Sequence, residues 1–125
     1  MKILFASDIH GSVYYCRRLL DIYKETKASR MVILGDILYH GPRNDLPKEY
    51  APKEVIAMLN PLKDQIYAVR GNCDTEVDQM VLQFPILADY ALLVLDGKTF
   101  YATHGHVFNQ DHLPGKFYQQ RLRFI

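Results

Sequence analysis

Three short apolar runs, each followed by a segment with helical spacing, constrain the fold of this 125-residue chain more than any other feature. The runs are Lys2–Ser7, Arg30–Leu34 and Gln65–Val69. Continuous apolar runs of this length are typical of strands that are buried on both faces of a parallel sheet. Because a helix-like segment follows each run, the sequence predicts successive β–α units with right-handed crossovers, and the fold class is therefore α/β.

The remaining segments also have recognisable boundaries. The predicted elements are a helix Ser12–Glu25 with Ser12 as its N-cap, a helix opened by Pro52, a short helix Glu76–Phe84 closed by Pro85, and two strands, Tyr90–Leu95 and Lys98–Thr103. Asp96-Gly97 separates the two strands and predicts a tight β-hairpin. The segment Leu38–Pro52 contains three prolines and a glycine. It is predicted to be a long loop, and long loops in compact domains are usually functional.

Composition favours one soluble globular domain that spans residues 1–125. The chain is 49% hydrophobic and 23% charged, with a net charge of +1, which provides no electrostatic footprint for nucleic acid or for a membrane surface. Cys16 and Cys73 do not suggest a disulfide framework. No apolar stretch reaches the length of a membrane span, and the N-terminal run is too short for a signal peptide. We therefore expect a cytoplasmic protein.

Four predicted strand ends carry polar side chains, usually beside a glycine. The sequences there are SDIHG (Asp8, His10), GDILYHG (Asp36, His40), GNCD (Asn72, Cys73, Asp74) and THGH (His104, His106). Ligands bind beyond the carboxyl ends of the strands in open α/β sheets, and Asp, His and Asn are ligands of divalent metal ions. Taken alone, Asp8 reads as a helix cap, Asp36 as a turn residue and a single histidine as structural. Their occurrence together instead favours a metal site.

The motifs D-x-H, G-D, G-N-x-D and H-G-H, in this order, resemble the first motifs of the calcineurin-like metallophosphoesterases. More narrowly, FASDIHGS, VILGDILYHGPRN, AVRGNCDTEVDQM and THGH are similar to a subfamily of small bacterial phosphodiesterases, and the resemblance extends to about Pro114. It implies an α/β/β/α sandwich, two divalent metal ions, with Mn²⁺ the expected metal, and a small phosphate-ester substrate. The implied reaction is phosphodiester hydrolysis, in which a hydroxide activated by the two metals attacks phosphorus.

The resemblance also implies roles for the motif residues. The implied metal ligands are Asp8 and His10 for the first ion, Asn72 and His104 for the second, and Asp36 as a bridge between both. His106 would lie just outside the ligands or face the substrate. Asp74 would orient a ligand histidine or cap the next helix.

Cys73 stands where many relatives have a histidine that contacts the scissile phosphate or helps to protonate the leaving group. A thiol with an unperturbed pKa of about 8.5 is mostly neutral at pH 7. Cys73 therefore acts weakly as an acid or leaves protonation unassisted, and the second outcome favours good leaving groups such as those of aryl phosphodiesters. The alternative is that Cys73 only fills space. In the loop, Arg43 is the expected phosphate partner or else a solvated charge, and the weaker substrate-binding candidates are His40 and Asn44. Arg70 has the same two alternatives as Arg43, a phosphate partner or a solvated charge.

The chain departs from the family after His106. The family's last motif, G-H-x-H, supplies two further metal-binding histidines and is absent. We therefore expect the second sheet to lack its C-terminal part, the domain to be incomplete after about residue 114, and the uncovered hairpin to drive assembly of a homo-oligomer. The alternative function is a catalytically inactive interaction module on the same fold, or an enzyme fragment. A nucleotide-binding α/β domain is disfavoured because no G-x-G-x-x-G or P-loop motif follows a strand.

Overall fold

A computed structural model describes residues 1–113 and 115 of the chain. Its elements are β1 (Ile3–Ala6), α1 (Val13–Thr26), β2 (Arg30–Ile33), α2 (Pro52–Leu59), a 3₁₀ helix (Asn60–Gln65), β3 (Ile66–Ala68), α3 (Glu76–Val81), β4 (Ala91–Leu95) and β5 (Lys98–Ala102). Their order is the one that the sequence predicts. Among the described residues, no helix has the length and apolar character needed to cross a bilayer. The expectation that the domain is incomplete after about residue 114 lies outside the described residues.

Strands β1, β2 and β3 form a parallel sheet in that order. The register pairs Phe5 with Val32 and Val32 with Tyr67, so β2 runs between the other two strands. Met31, Val32 and Ile33 of β2 are buried, as predicted for a strand that is covered on both faces. The residues of β1 are only half-buried, contrary to the prediction, because β1 lies at an edge of this sheet. The predicted α/β class is confirmed.

Alternate residues of β2 contribute to two separate apolar cores, because successive side chains of a strand point to opposite faces. Met31 and Ile33 pack with residues of α1 and α2 in one cluster. Val32 and the following Leu34 pack in a second cluster with Ala102 of the hairpin. The layers are therefore helices, parallel sheet and β4–β5 hairpin, which agrees with the first three layers of the expected sandwich.

The hairpin turns as predicted. Asp96 and Gly97 have φ angles of 51° and 75°, and positive φ at both central residues is the type I′ conformation favoured in two-residue hairpins. Leu92 and Val94 of β4 are 45% and 72% exposed. A cavity of about 600 Å³, lined mainly by apolar residues, lies between the parallel sheet and β4. These exposed apolar residues support the predicted self-association, which itself stays a prediction.

Helix α3 is shorter than predicted and ends at Val81 rather than at Phe84. The Gln79 side chain donates to the carbonyl oxygens of Leu82 and Phe84 at 3.2 and 2.9 Å and accepts from the amide of Ile86 at 2.7 Å. Because this one side chain satisfies three backbone groups, the segment after Val81 leaves the helix without losing its hydrogen bonds.

The loop between β2 and α2 contains no helix or strand in residues 38–51, apart from one bridge between Ser12 and Tyr50, as predicted. Its C-terminal end is fixed to the start of α1. The amide of Val13 donates to the carbonyl of Glu49, and the amide of Ala51 to that of Gly11, both at 2.9 Å. Residues 42–46 are exposed. The loop is thus anchored at one end and open to solvent in its middle.

Candidate metal centre

The loops that follow β1 and β2 stay paired beyond the ends of the strands. The amide of Asp8 donates to the carbonyl of Gly35 at 3.0 Å, and the amide of His10 donates to the carbonyl of Asp36 at 2.9 Å. Because parallel strands end at the same edge of the sheet, this pairing places Asp8 and His10 next to Asp36.

Three of the predicted ligands have left-handed backbone conformations. The φ angles of Asp8, His10 and Asp36 are 62°, 50° and 57°. This conformation is unfavourable for residues other than glycine, and it persists where the surrounding structure determines it and where function requires it. Its occurrence at three neighbouring positions indicates that the sequence maintains this local geometry for the side chains it presents.

Gly35 and Gly71 allow the loops after β2 and β3 to approach each other. A Cβ atom on Gly35, whose φ is 101°, would overlap the backbone of Gly71, and a Cβ atom on Gly71 would overlap the Asp36 carboxylate. This close approach lets the amide of Cys73 donate to Oδ1 of Asp36 at 2.8 Å. Both positions therefore require glycine for steric reasons.

Asp36 lies between the two halves of the cluster and is only 2% exposed. Its Oδ2 is 3.5 Å from Nε2 of His10 and 3.3 Å from Nε2 of His104. On the first side, Nε2 of His10 is also 3.0 Å from Oδ1 of Asp8. On the second side, Nε2 of His104 is 3.0 Å from Oδ1 of Asn72. One buried carboxylate is thus shared by two pairs of polar side chains.

Backbone carbonyls orient both histidines. Nδ1 of His10 is 2.7 Å from the carbonyl oxygen of Tyr39, and Nδ1 of His104 is 2.7 Å from that of Leu34. A carbonyl only accepts, so each Nδ1 donates, and each Nε2 of a neutral ring presents its lone pair to the cluster. The sequence contained no signal for these two partners, because a carbonyl is available at every residue.

The donor set of the cluster fits divalent metal ions. The side chains of Asp8, His10, Asp36, Asn72 and His104 present oxygen acceptors and imidazole nitrogens to a common space. Ligand atoms of Asp8, Asp36 and His104 lie within 4.8 Å of one another, as do those of His10, Asp36 and Cys73. Converging lone pairs need a proton or a cation between them, and carboxylate, amide and imidazole groups suit manganese, iron and zinc.

Burial and neighbouring charges shift the ionisation of these groups in opposite directions. Burial raises the pKa of Asp36, and the hydrogen bond from the Cys73 amide offsets this only in part. Burial also opposes ionisation of Asp8, but the hydrogen bond from Ser7 and the proximity of His10 lower its pKa overall. For His10, burial is outweighed by the Tyr39 carbonyl and by Asp8, so its pKa is raised. The buried Asp36 carboxylate thus needs positive charge nearby.

Asp74 has a different role from the two that the sequence predicted. It is 6% exposed and accepts hydrogen bonds from the amides of Gly71 at 2.7 Å, Asp36 at 2.8 Å and Ile37 at 3.0 Å. The cap of α3 is Thr75, which forms a capping box with Asp78. Asp74 therefore ties the loop after β3 to the loop that carries Asp36, rather than orienting a histidine or capping a helix.

Cys73 and His106, the predicted catalytic residues, both lie beside the cluster. The Cys73 side chain is 8% exposed, and burial together with the Asp36, Asp74 and Asp8 carboxylates raises its pKa, so the thiol stays protonated at neutral pH. The ring of His106 is exposed and packs edge to face on His104, with centroids 5.3 Å apart. Burial and the charges of His104 and Arg70 lower the pKa of His106.

The predicted substrate-binding residues occupy the loop beside the cluster. Arg43 is exposed, and its charge is close enough to lower the pKa of Cys73 in part. The His40 ring contacts the ring of Tyr50 edge to face, 5.2 Å between centroids. The Asn44 amide donates to the His40 carbonyl at 2.9 Å. Arg70 is instead held in an ion pair with Asp89 at 2.8 Å.

Comparison with known proteins finds relatives of this chain. The chain is 50% identical over 114 residues to phosphodiesterase YfcE of Escherichia coli strain K12. The alignment covers 91% of this chain and 62% of that protein. The solved structure of YfcE, described as a phosphoesterase from E. coli, matches with a TM-score of 0.90 and 50% identity over 92% of this chain and 63% of its own. An archaeal phosphodiesterase at 23% identity shares the fold, with a TM-score of 0.60 over 89% of this chain and 62% of its own.

The chain thus spans 62% of the length of the curated relatives that it matches, which is a little under two thirds. Over residues 1–124 it matches the family model of calcineurin-like phosphoesterases. That match covers almost the whole sequence and includes every residue of the cluster described above. The cluster offers candidate ligand groups for the divalent metal ions that membership of this family implies, and the chain belongs to the calcineurin-like phosphoesterase family.

Proposed function

We propose that this chain is a metal-dependent phosphodiesterase that acts on a small phosphate ester. The observation that carries the proposal is the position of Asp36, whose Oδ2 faces His10 on one side and His104 on the other. A carboxylate shared in this way suits a pair of metal ions, and pairs of ions are typical of enzymes that hydrolyse phosphate esters. The 50% identity to a phosphodiesterase supports the same reaction.

The proposed ligands follow the two sides of the cluster. Asp8 and His10 would hold one ion, Asn72 and His104 the other, and Asp36 both. We propose Mn²⁺ as the metal, because the ligands are mainly carboxylate, amide and imidazole groups. Bound ions of this kind polarise the phosphoryl group and activate water for attack on phosphorus. The chain's own contribution is to fix the positions of these donors through Asp74 and the carbonyls of Tyr39 and Leu34.

The residues beside the cluster would bind and orient the substrate. Arg43 carries the positive charge nearest to Cys73 in the loop and would contact phosphoryl oxygens, with His40 and Asn44 forming the adjoining wall. Cys73 remains a protonated thiol and is a weak donor for a leaving group, which favours aryl esters with stable leaving groups. His106, exposed beside His104, would face the substrate.

Four further expectations belong to the same proposal. The match of one family model to residues 1–124 supports a single domain. The exposed Leu92 and Val94 support a homo-oligomer, which sedimentation analysis of the chain would test. The cytoplasmic location and the absence of a nucleic-acid surface remain predictions from composition.

The test is hydrolysis of bis(p-nitrophenyl) phosphate by the purified chain with added Mn²⁺, beside the same chain stripped with a chelator. We expect turnover that depends on metal and is lost in Asp36→Asn, with Asp21→Asn on the exposed face of α1 as the matched control. Saturable metal binding without turnover would instead support the catalytically inactive interaction module. Metal-dependent turnover retained in Asp36→Asn would show that Asp36 has no special part.

A further inference from the structure

A cavity of about 350 Å³ opens directly beside the metal centre. Its lining residues are Asp8, His10, His40, Asn44, Asp45 and Pro47. Asp8 and His10 are predicted metal ligands, so the cavity begins at the place where a bound phosphodiester would be attacked. Its volume falls in the range of small-molecule sites and is sufficient for one ester group the size of a substituted phenyl ring.

Asp45 is the one carboxylate among the six lining residues that the proposed metal ions do not use. The lining residues include no lysine or arginine. Arg43 of the same loop is not among the lining residues, and its charge acts on Cys73. The loop thus contributes an anion, Asp45, to the cavity wall and a cation, Arg43, that suits the phosphoryl oxygens.

The position of Asp45 is supported on both sides along the chain. Before it, the Asn44 side chain donates to the His40 carbonyl at 2.9 Å, and the His40 ring packs against Tyr50. After it, the Ser12 hydroxyl donates to the carbonyl of Lys48 at 2.5 Å. Hydrogen bonds therefore fix the segment that carries Asp45 on both sides, although its surface is exposed to solvent.

We propose that this cavity accepts the ester group of a phosphodiester and that Asp45 selects against ester groups that carry negative charge. The preferred substrates would be diesters whose alcohols are neutral or cationic, such as aryl esters or esters of an amino alcohol. The inference rests on the proposed phosphodiesterase function and deepens it. An anionic ester group would lie beside the Asp45 carboxylate, and two like charges a few ångströms apart repel each other.

The experiment uses symmetric diaryl phosphates, so that whichever ester group enters the cavity carries the charge. The para substituent is nitro (neutral), trimethylammonium (cationic) or carboxylate (anionic), and kcat/KM is measured with Mn²⁺ for the unaltered chain, Asp45→Asn, Asp45→Lys and the control Asp21→Asn. For each variant, kcat/KM for the cationic diester is divided by kcat/KM for the anionic diester. This ratio is then compared with the ratio of the unaltered chain. Differences in the intrinsic reactivity of the esters cancel in this comparison.

We expect the ratio to fall about fivefold in Asp45→Asn and further in Asp45→Lys, as for a partly exposed charge pair, and to stay unchanged in Asp21→Asn. Raising the ionic strength to about 1 M, where the Debye length is about 3 Å, should weaken the preference. The same ratio in Asp45→Asn and the unaltered chain would overturn the inference and leave the phosphodiesterase proposal intact. No metal-dependent hydrolysis of the neutral diester by the unaltered chain would overturn both.

Discussion

The metal centre and the loop beside it are held in different ways. The inner part, which carries Asp8, His10 and Asp36, is joined by backbone hydrogen bonds between neighbouring loops and by the buried Asp74 carboxylate. The outer part, residues 42–46, is exposed and depends on anchors that lie at its ends. Metal ligands need fixed separations, whereas a substrate wall needs only to present the right groups. The difference predicts that the proposed binding of ions and the proposed choice of substrate can be altered separately in this molecule.

The largest expected effect concerns the shared carboxylate. Asp36→Asn should lower the Mn²⁺ affinity of both binding events. The loss should exceed the roughly 10- to 100-fold that follows removal of a residue hydrogen-bonded to a metal ligand. Asn72→Ala should weaken one event more than the other, because the Asn72 amide oxygen is the group that lies 3.0 Å from Nε2 of His104. Calorimetric titration with Mn²⁺ measures both. A single binding event in the unaltered chain would contradict the shared role of Asp36.

The next effect tests whether the inner part depends on Asp74. Asp74→Asn replaces one acceptor oxygen by an amide NH₂ group, which donates, and should lower Mn²⁺ affinity about 10- to 100-fold. The matched control is Asp78→Asn, which also removes an acceptor of a backbone amide but lies in the capping box of α3. Asp78→Asn should lower the thermal midpoint without changing metal affinity. Equal losses of metal affinity in the two variants would reduce Asp74 to a general contributor to stability.

Cys73 lies where the inner and outer parts meet, since a Cβ atom on Gly41 would come within 3.3 Å of its Sγ. Cys73→His should raise kcat for a diester with a poor leaving group by about tenfold, below the full range for a well-placed general acid. Cys73→Ser serves as the control for loss of the thiol. The measurement is turnover across esters of graded leaving-group pKa. An equal rise for good and poor leaving groups would exclude leaving-group protonation as the cause.

The smallest effect concerns the anchor of the outer part. Arg17 and Glu49 form an ion pair at 3.2 Å with both side chains about half exposed, and such pairs contribute about 0–1 kcal/mol. Arg17→Ala should raise KM about twofold and leave kcat unchanged, because the backbone bonds of Val13 and Ala51 remain. Steady-state kinetics on bis(p-nitrophenyl) phosphate measures this change. A tenfold change in KM would show that the outer part depends on this one pair.

Much of the fold was predictable because its signals are local. The apolar runs, the proline at the start of α2 and Asp96-Gly97 each act within a few residues, and the corresponding elements are present. The prediction was wrong for the end of α3, where Gln79 bonds to the backbone up to Ile86. It was also wrong for the burial of β1, which depends on which strand occupies the edge.

The candidate site was predictable in its membership but not in its connections. The residue types at the four strand ends identified Asp8, His10, Asp36, Asn72 and His104, which the structure brings together. Their role as metal ligands stays a prediction. The role of Asp74 was missed because its partners are amides of Asp36 and Ile37, 38 and 37 positions away along the chain. The sequence does not distinguish an aspartate with a buried carboxylate from an aspartate in an exposed turn.

The sequence by itself determined the α/β class, the family and the set of polar residues at the sheet edge, because apolar periodicity and motif spacing are properties of neighbouring residues. Only the tertiary structure decided that Asp36 faces both histidines, that backbone carbonyls set their tautomers, and that Asp45 rather than Arg43 lines the cavity. These features arise where distant segments meet, and their distances depend on how three loops pack against one another. Hydrogen bonds and charge interactions require separations of a few ångströms, which follow from that packing alone.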